Sequence, residues 1–207
     1  MATIKIFVEG DADVKFLKDY LSYITPDFEI TKELIEKTDG WTNINSQEGK
    51  GEGIRNRMRQ NSDNGGVNLV IFDADKDFTN RKREIEAWRN TYNVTFELFL
   101  FPDNQNVGAL EDLLEKIIID TNKPIFDCWN GFEICLQENA SKKMDKRLTL
   151  PAKKTKIYAY LEVLLGKTKK EKERIKERER DYKNNEHWDL NSEFLISLKE
   201  FLLTYIK

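Results

Sequence analysis

At 207 residues, with 39% hydrophobic content and twelve Phe, the chain is long enough for one sizeable core and too apolar to be a disordered protein. Its 34 basic residues nearly balance its 37 acidic ones, which excludes an overall basic field for nucleic acid, so any such partner has to be met locally. No apolar run approaches the length of a membrane span, and Cys128 and Cys135 lack Cys or His neighbours at metal-ligand spacing; both are expected to be buried thiols of a soluble, cytoplasmic protein.

The pattern predicts a strand over residues 4–8 and a helix over 11–23, the helix carrying Val14, Phe16, Leu17, Tyr20 and Leu21 on one face. Pro26 ends it, and alternation over 28–36 predicts a second, edge-exposed strand. A turn at DGWTNI leads into SQEGKGEG, whose Gly49, Gly51 and Gly53 suit either a surface loop or a backbone cradle for phosphate with Lys50 as counter-charge. A short helix over 54–60 precedes a third strand, 67–72, which ends in DADKD. A helix over 80–92 and a fourth strand over 94–101 complete an alternation that predicts an α/β fold with a mostly parallel sheet covered on both faces.

The remaining chain reads as helical: 109–119, 121–138 with interruptions at Pro124 and Gly131, 154–165 ending at Gly166, and an amphipathic 192–206 capped by Asp189 or Asn191. Between the last two lies the run 167–183, nine basic and five acidic residues, which reads as a solvated helix or a segment touching a phosphate backbone. The organisation expected is a core over 1–119 and a helical extension over 120–207 packed upon it.

Ligands of a parallel sheet sit beyond the carboxyl ends of its strands, and Glu9, Asp73, Asp75 and Asp103 fall at that edge. Asp73 and Asp75, two residues apart, lie on one side of an extended chain and suit a shared magnesium ion, which takes one or two carboxylates along with water and phosphate. Glu9 is placed to act as acid or base beside that ion, Asp13 returns to the same edge one helical turn later, and Asp77 stands close enough to join as a third metal ligand. Acids that merely follow strands into polar loops are the competing explanation, which three such strand ends make harder to sustain. His187 is the only histidine, so Ser-His and Cys-His mechanisms are disfavoured, and a packing or surface role is expected of it. The Gly166-Lys167-Thr168 run lacks the glycine and strand of a P-loop.

IFVEGDADVKFL followed by LVIFDADKD resembles the Toprim domain of topoisomerases, primases, RNA-maturation nucleases and OLD-family nucleases, over roughly residues 3–115. The glutamate-glycine pair of that family corresponds to Glu9 and Gly10, and its Asp-x-Asp to Asp73 and Asp75. The resemblance implies a Rossmann-like Toprim fold, Mg2+ (with Mn2+ as substitute) held chiefly by the Asp-x-Asp acids, and Glu9 as general acid or base in breaking or joining nucleic-acid phosphodiesters. Asp13 resembles the second acid of the OLD-like glutamate motif, and PDNQNVGALEDLL resembles a segment of small Toprim-like proteins, which makes Asp103, Glu111 and Asp112 secondary candidates. No strand-cleaving domain, zinc ribbon or ATPase domain is visible in the sequence. The alternative is therefore a non-catalytic module that serves a separately encoded ATPase.

Overall fold

In the computed structural model, which describes residues 3–46, 49–140 and 148–206, four parallel strands form one sheet in the order β2-β1-β3-β4. They are β1 (Ile4–Val8), β2 (Ile35–Lys37), β3 (Val67–Asp73) and β4 (Glu97–Phe101). The fold is α/β with a Rossmann-like layout, as the alternation predicts.

Strand side chains alternate between two apolar layers. Ile6, Val8, Leu69, Ile71, Phe99 and Phe101 point into the larger one, where α1 (Asp11–Ile24) brings Phe16, Leu17, Tyr20 and Leu21. Phe7, Val70, Phe72 and Leu100 point into the other, covered by α2 (Trp41–Ile44), α3 (Lys50–Asp63) and α4 (Phe78–Thr91) through Ile44, Ile54, Met58, Ile85 and Trp88. The buried Asn68 ties α3 to β3: its Nδ2 donates to Met58 O (2.9 Å), Ser62 Oγ (3.0 Å) and Thr95 O (2.9 Å).

This arrangement fixes where a site can form. From β1 the chain crosses by α1 to β2 on one side, and from β3 it crosses by α4 to β4 on the other. The carboxyl ends of β1 and β3 therefore flank the point where strand order reverses, the customary crevice of such sheets.

The second half of the chain completes the larger layer. Helices α5 (Leu110–Lys116), α6 (Lys123–Ala140), α7 (Lys153–Leu165), α8 (Lys169–Glu173) and α9 (Ile196–Tyr205) follow β4. Ile157, Tyr160, Leu161, Tyr182, Trp188, Leu198 and Leu202 share a continuous cluster with the strand residues. Backbone contacts reinforce it, with Asp189 N donating to Ile117 O (2.7 Å) and Tyr182 N to the Asp19 carboxylate (2.9 Å).

Several elements depart from the sequence reading. The second strand is only three residues long, because Phe28 and Ile30 pack against the core without joining the ladder. Helix α3 starts at Lys50 and takes in Gly51 and Gly53; a Cβ on Gly51 would lie 2.4 Å from Ser46 O, so close approach to the preceding turn demands glycine there. DGWTNI is no simple turn, since its last four residues form α2.

Helix α6 runs unbroken, because Pro124 sits in its first turn, where the missing N–H has no intrahelical partner to lose. Cys128 and Cys135 are exposed, contrary to expectation, since Phe126 is the one residue that α6 buries among those described. The charged run is neither one helix nor fully solvated: Ile175, Arg180 and Tyr182 are buried, the Tyr182 ring lying 5.3 Å from that of Phe16. Asp189 accepts from Asn191 N (2.9 Å) and neither residue caps α9, which a 3-10 turn, Glu193–Leu195, precedes.

Because Leu198 is fully buried beneath the sheet, Leu198→Ala is expected to cost about 2–5 kcal/mol in urea unfolding. A loss below about 1 kcal/mol, the scale of a surface change, would mean that the C-terminal helices are peripheral.

Candidate functional site

Glu9 follows β1 directly, and Asp73 is the last residue of β3, its immediate neighbour in the sheet. The Asp73 amide donates to Glu9 Oε1 (3.2 Å), so the two strand ends are joined through the glutamate. Asp13 stands in the first turn of α1, where its Oδ2 accepts from the Gly10 amide (2.7 Å) and holds the Glu9-Gly10 turn. Gly10 has extended backbone, and a Cβ there would make only an ordinary 3.4 Å contact with Asp13 Oδ2, so internal crowding does not explain the glycine.

The loop after β4 closes the site from the other side. Asp75 and Gly108 exchange backbone hydrogen bonds (2.8 Å each), and the Leu110 amide at the start of α5 donates to Asp73 Oδ1 (3.0 Å). Gly108 has φ 141°, and a Cβ there would lie 2.7 Å from Asp112 Oδ2, so glycine is needed for the loop to reach Asp75. This brings Glu111 towards Asp13 and Asp73.

The electrostatics of the edge are one-sided. Loss of water is the main cause that pushes Asp73 up to about 9, and the charges of Asp13, Glu9 and Glu111 add to it. Asp13 is pushed up to about 7, again chiefly by burial, against the pull of the Gly10 amide and with help from Glu9 and Glu111. Burial also raises Glu9, partly offset by Arg81.

Arg81, reached one turn into α4, is the cation of this edge. Its Nη2 lies 2.8 Å from Glu9 Oε1 and 3.7 Å from Asp75 Oδ2, its Nε donates to Asp73 O (3.2 Å), and its guanidinium sits 5.0 Å over the Trp41 ring. Sequence reasoning missed this arginine. The available signal was its place one turn after an acid-rich strand end.

Other candidates have local duties. Asp77 caps α4 by accepting from Asn80 N (2.9 Å), and Asp103 accepts from the Gln105 and Asn106 amides in the turn after β4. Asp112 accepts from Ala109 N (2.6 Å) and pairs with Lys153 (2.7 Å). Lys50 pairs with Asp39 (2.9 Å), and the amide of Gly51 belongs to the first turn of α3.

A chain of charges also lines the edge, joining Lys50 and the 167–183 run through acids that the sequence did not single out: Arg178 to Asp11 (2.9 Å), Asp11 to Lys37 (3.0 Å), Lys37 to Asp39 (2.9 Å) and Asp39 to Lys50. Arg57 pairs with Glu36, whereas Arg55 is buried and donates to Ile44 O and Ser46 O. His187 is buried too, with Nδ1 3.4 Å from Asn184 Nδ2.

Among the described residues no group of three or more His, Cys, Asp or Glu is arranged to hold a metal ion. Magnesium does not require one, since it commonly binds through one or two carboxylates and keeps its waters. The donor chemistry of Glu9, Asp73 and Asp75 fits such an ion: hard carboxyl oxygens, those of Glu9 and Asp73 largely desolvated and that of Asp75 open to solvent, with Arg81 facing Glu9 and Asp75. Among the described residues, no helix is long and apolar enough to cross a membrane.

Residues 3–207 match the family described as Protein of unknown function (DUF3226). No curated protein and no solved structure gives a match.

The raised carboxyl groups make a signed prediction. Between the ordinary value of 3.8 and about 9 the fold keeps a proton on Asp73 that the unfolded chain has released, so this contribution to stability is present below pH 4 and is lost as pH rises through that window. In chelator, Asp73→Asn is expected to melt higher than the unmodified chain at pH 8, by roughly 2–4 °C per kcal/mol relieved, with the gain fading towards pH 4. A lower melting point for Asp73→Asn at pH 8 would contradict the assignment.

Proposed function

The chain belongs to the DUF3226 family, and we propose that it is a divalent-cation-dependent nuclease or related phosphoryl-transfer enzyme acting on nucleic-acid phosphodiesters. The observation that carries this reading is the desolvated Asp73 carboxylate, held beside Glu9 where strand order reverses and crowded by Asp13 and Glu111. The Toprim resemblance of Glu9, Gly10, Asp73 and Asp75 adds the reaction class.

Asp73 and Asp75 would hold the ion, Mg2+ or Mn2+, and when bound it would supply charge stabilisation to a phosphate oxygen. Glu9 is the proton carrier: burial raises it and Arg81 draws it back, so its affinity for a proton is set by neighbours that both touch the edge. Asp13 keeps Glu9 in place through the Gly10 amide. Asp77 serves as the cap of α4 and Asp112 as the cap of α5, which leaves Glu111 as the acid of that segment closest to the chemistry.

Nucleic acid would be met locally. Lys37, Lys50 and Arg178 lie along the rim in exchangeable pairs with Asp11 and Asp39, and phosphates could take the places of those acids. A cytoplasmic location suits this reading.

One observation favours a second reading, a non-catalytic module that serves a separately encoded ATPase: Arg81 already neutralises Glu9 and reaches Asp75. Protein that binds metal yet cleaves DNA and RNA only once a partner ATPase is added would select it.

The first reading predicts that Mn2+ or Mg2+ raises the melting temperature at pH 8 and supports cleavage of single- or double-stranded DNA or RNA. Asp73→Asn with Asp75→Asn is expected to abolish both effects, and Glu9→Gln to lower cleavage by about 100-fold or more while metal still binds, the scale of losing a general acid or base. Retention of metal binding in the double variant would overturn the site.

A further inference from the structure

The same edge that needs a divalent ion already contains a cation. Arg81 is 8% exposed at its side chain, and three contacts fix its direction: Glu9 Oε1 (2.8 Å), Asp73 O (3.2 Å) and the Trp41 ring (5.0 Å). Its approach to Asp75 Oδ2 is looser, at 3.7 Å, and the Asp75 side chain is 62% exposed. The arginine therefore grips the glutamate and leans towards the outer aspartate. Glu9 Oε1 is taken twice, by Arg81 Nη2 and by the Asp73 amide, and Asp73 Oδ1 is taken by the Leu110 amide.

An ion arriving at this edge therefore meets a Glu9 carboxylate whose Oε1 Arg81 already holds, and an Asp75 carboxylate towards which the same guanidinium leans. A divalent cation and a guanidinium cannot both lie against Glu9 and Asp75 without repulsion, which is strong where water is scarce. Trp41 offers the arginine a place to stay: its ring, at the start of the single-turn α2, already lies 5.0 Å from the guanidinium, and an aromatic face holds a guanidinium that has let go of its carboxylate.

We propose that Arg81 is a resident cation that a divalent ion must displace from Glu9 and Asp75, so that this arginine sets the ion affinity of the site and keeps the edge neutralised when no ion is bound. The inference rests on the reading of the edge as a cation site, and it adds a residue that works against binding. A merely structural Arg81 would do the opposite, since loss of a strut under Glu9 would weaken the ion.

The test is calorimetric titration of Mn2+ into the unmodified chain, Arg81→Gln and Arg81→Lys, each checked by circular dichroism and thermal melting. Arg81→Gln is expected to bind at least about tenfold more tightly, the scale on which a neighbouring opposite charge alters a carboxylate's cation affinity, and Arg81→Lys to stay near the unmodified chain. Equal or weaker binding by a folded Arg81→Gln would overturn the competition while leaving the metal reading intact. No binding by any of the three would overturn both.

A second readout needs no change at Arg81. Mg2+ added to the unmodified chain is expected to alter tryptophan fluorescence at the affinity that calorimetry gives, and Trp41→Phe is expected to lose that change. Calorimetric binding of Mg2+ with no response from Trp41 would count against displacement.

Discussion

Crowding of like charge at a single sheet edge is the constraint on which the rest of this molecule turns. Burial raises the proton affinity of Asp73, Asp13 and Glu9, and the charges of Asp13, Glu9 and Glu111 add to it at Asp73, those of Glu9 and Glu111 at Asp13, and that of Asp75 at Glu9. Such an arrangement costs stability, so the fold has to hold it together by other means. Amides do much of that: Gly10 towards Asp13, Asp73 towards Glu9, and Leu110 towards Asp73. The single guanidinium of Arg81 supplies the charge that amides cannot.

The architecture around the edge can be understood as its support. Parallel pairing of β1 with β3 in register puts the two acid-bearing strand ends side by side, and the two apolar layers lock that register, since a slip by one residue would turn every strand side chain to the wrong face. The C-terminal half contributes to the same purpose. Tyr182 packs on Phe16 and its amide engages Asp19, so the segment after α8 buttresses the helix whose first turn carries Asp13, while Arg178 reaches the Asp11 carboxylate on the solvent side. The extension is thereby coupled to the site through α1.

Much of this was legible in the sequence, for identifiable reasons. Three short apolar runs that each end in acids, alternating with helical patterns, are enough to foretell a parallel sheet and to put Glu9 and Asp73 at one edge. Local signals were harder to weigh. Asp77 and Asp112 have the spacing of site residues and also the spacing of helix caps, and the caps are what the hydrogen bonds favour. The glycines at the start of α3 suited a loop or a phosphate cradle because glycine is a poor helix former; the demand at Gly51 comes from carbonyls of Asn43 and Ser46 that only the folded chain brings near. Cys128 and Cys135 misled because residue type, and not the exposure of α6, set the expectation. Arg81 was missed because its place one turn after an acid-rich strand end names no partner, and Glu9 lies 72 residues away, a distance at which no periodicity reports contact.

The central claim is that this edge exists to take a divalent cation in place of an arginine's charge. Its most direct test is a crystal soaked in Mn2+ and measured at a wavelength where manganese scatters anomalously. The account predicts an anomalous peak within coordination distance of Asp73 and of Asp75 or Glu9, with the Arg81 guanidinium moved off Glu9 towards Trp41. A crystal saturated with Mn2+ that shows no peak at this edge, and Arg81 still seated on Glu9, would contradict it.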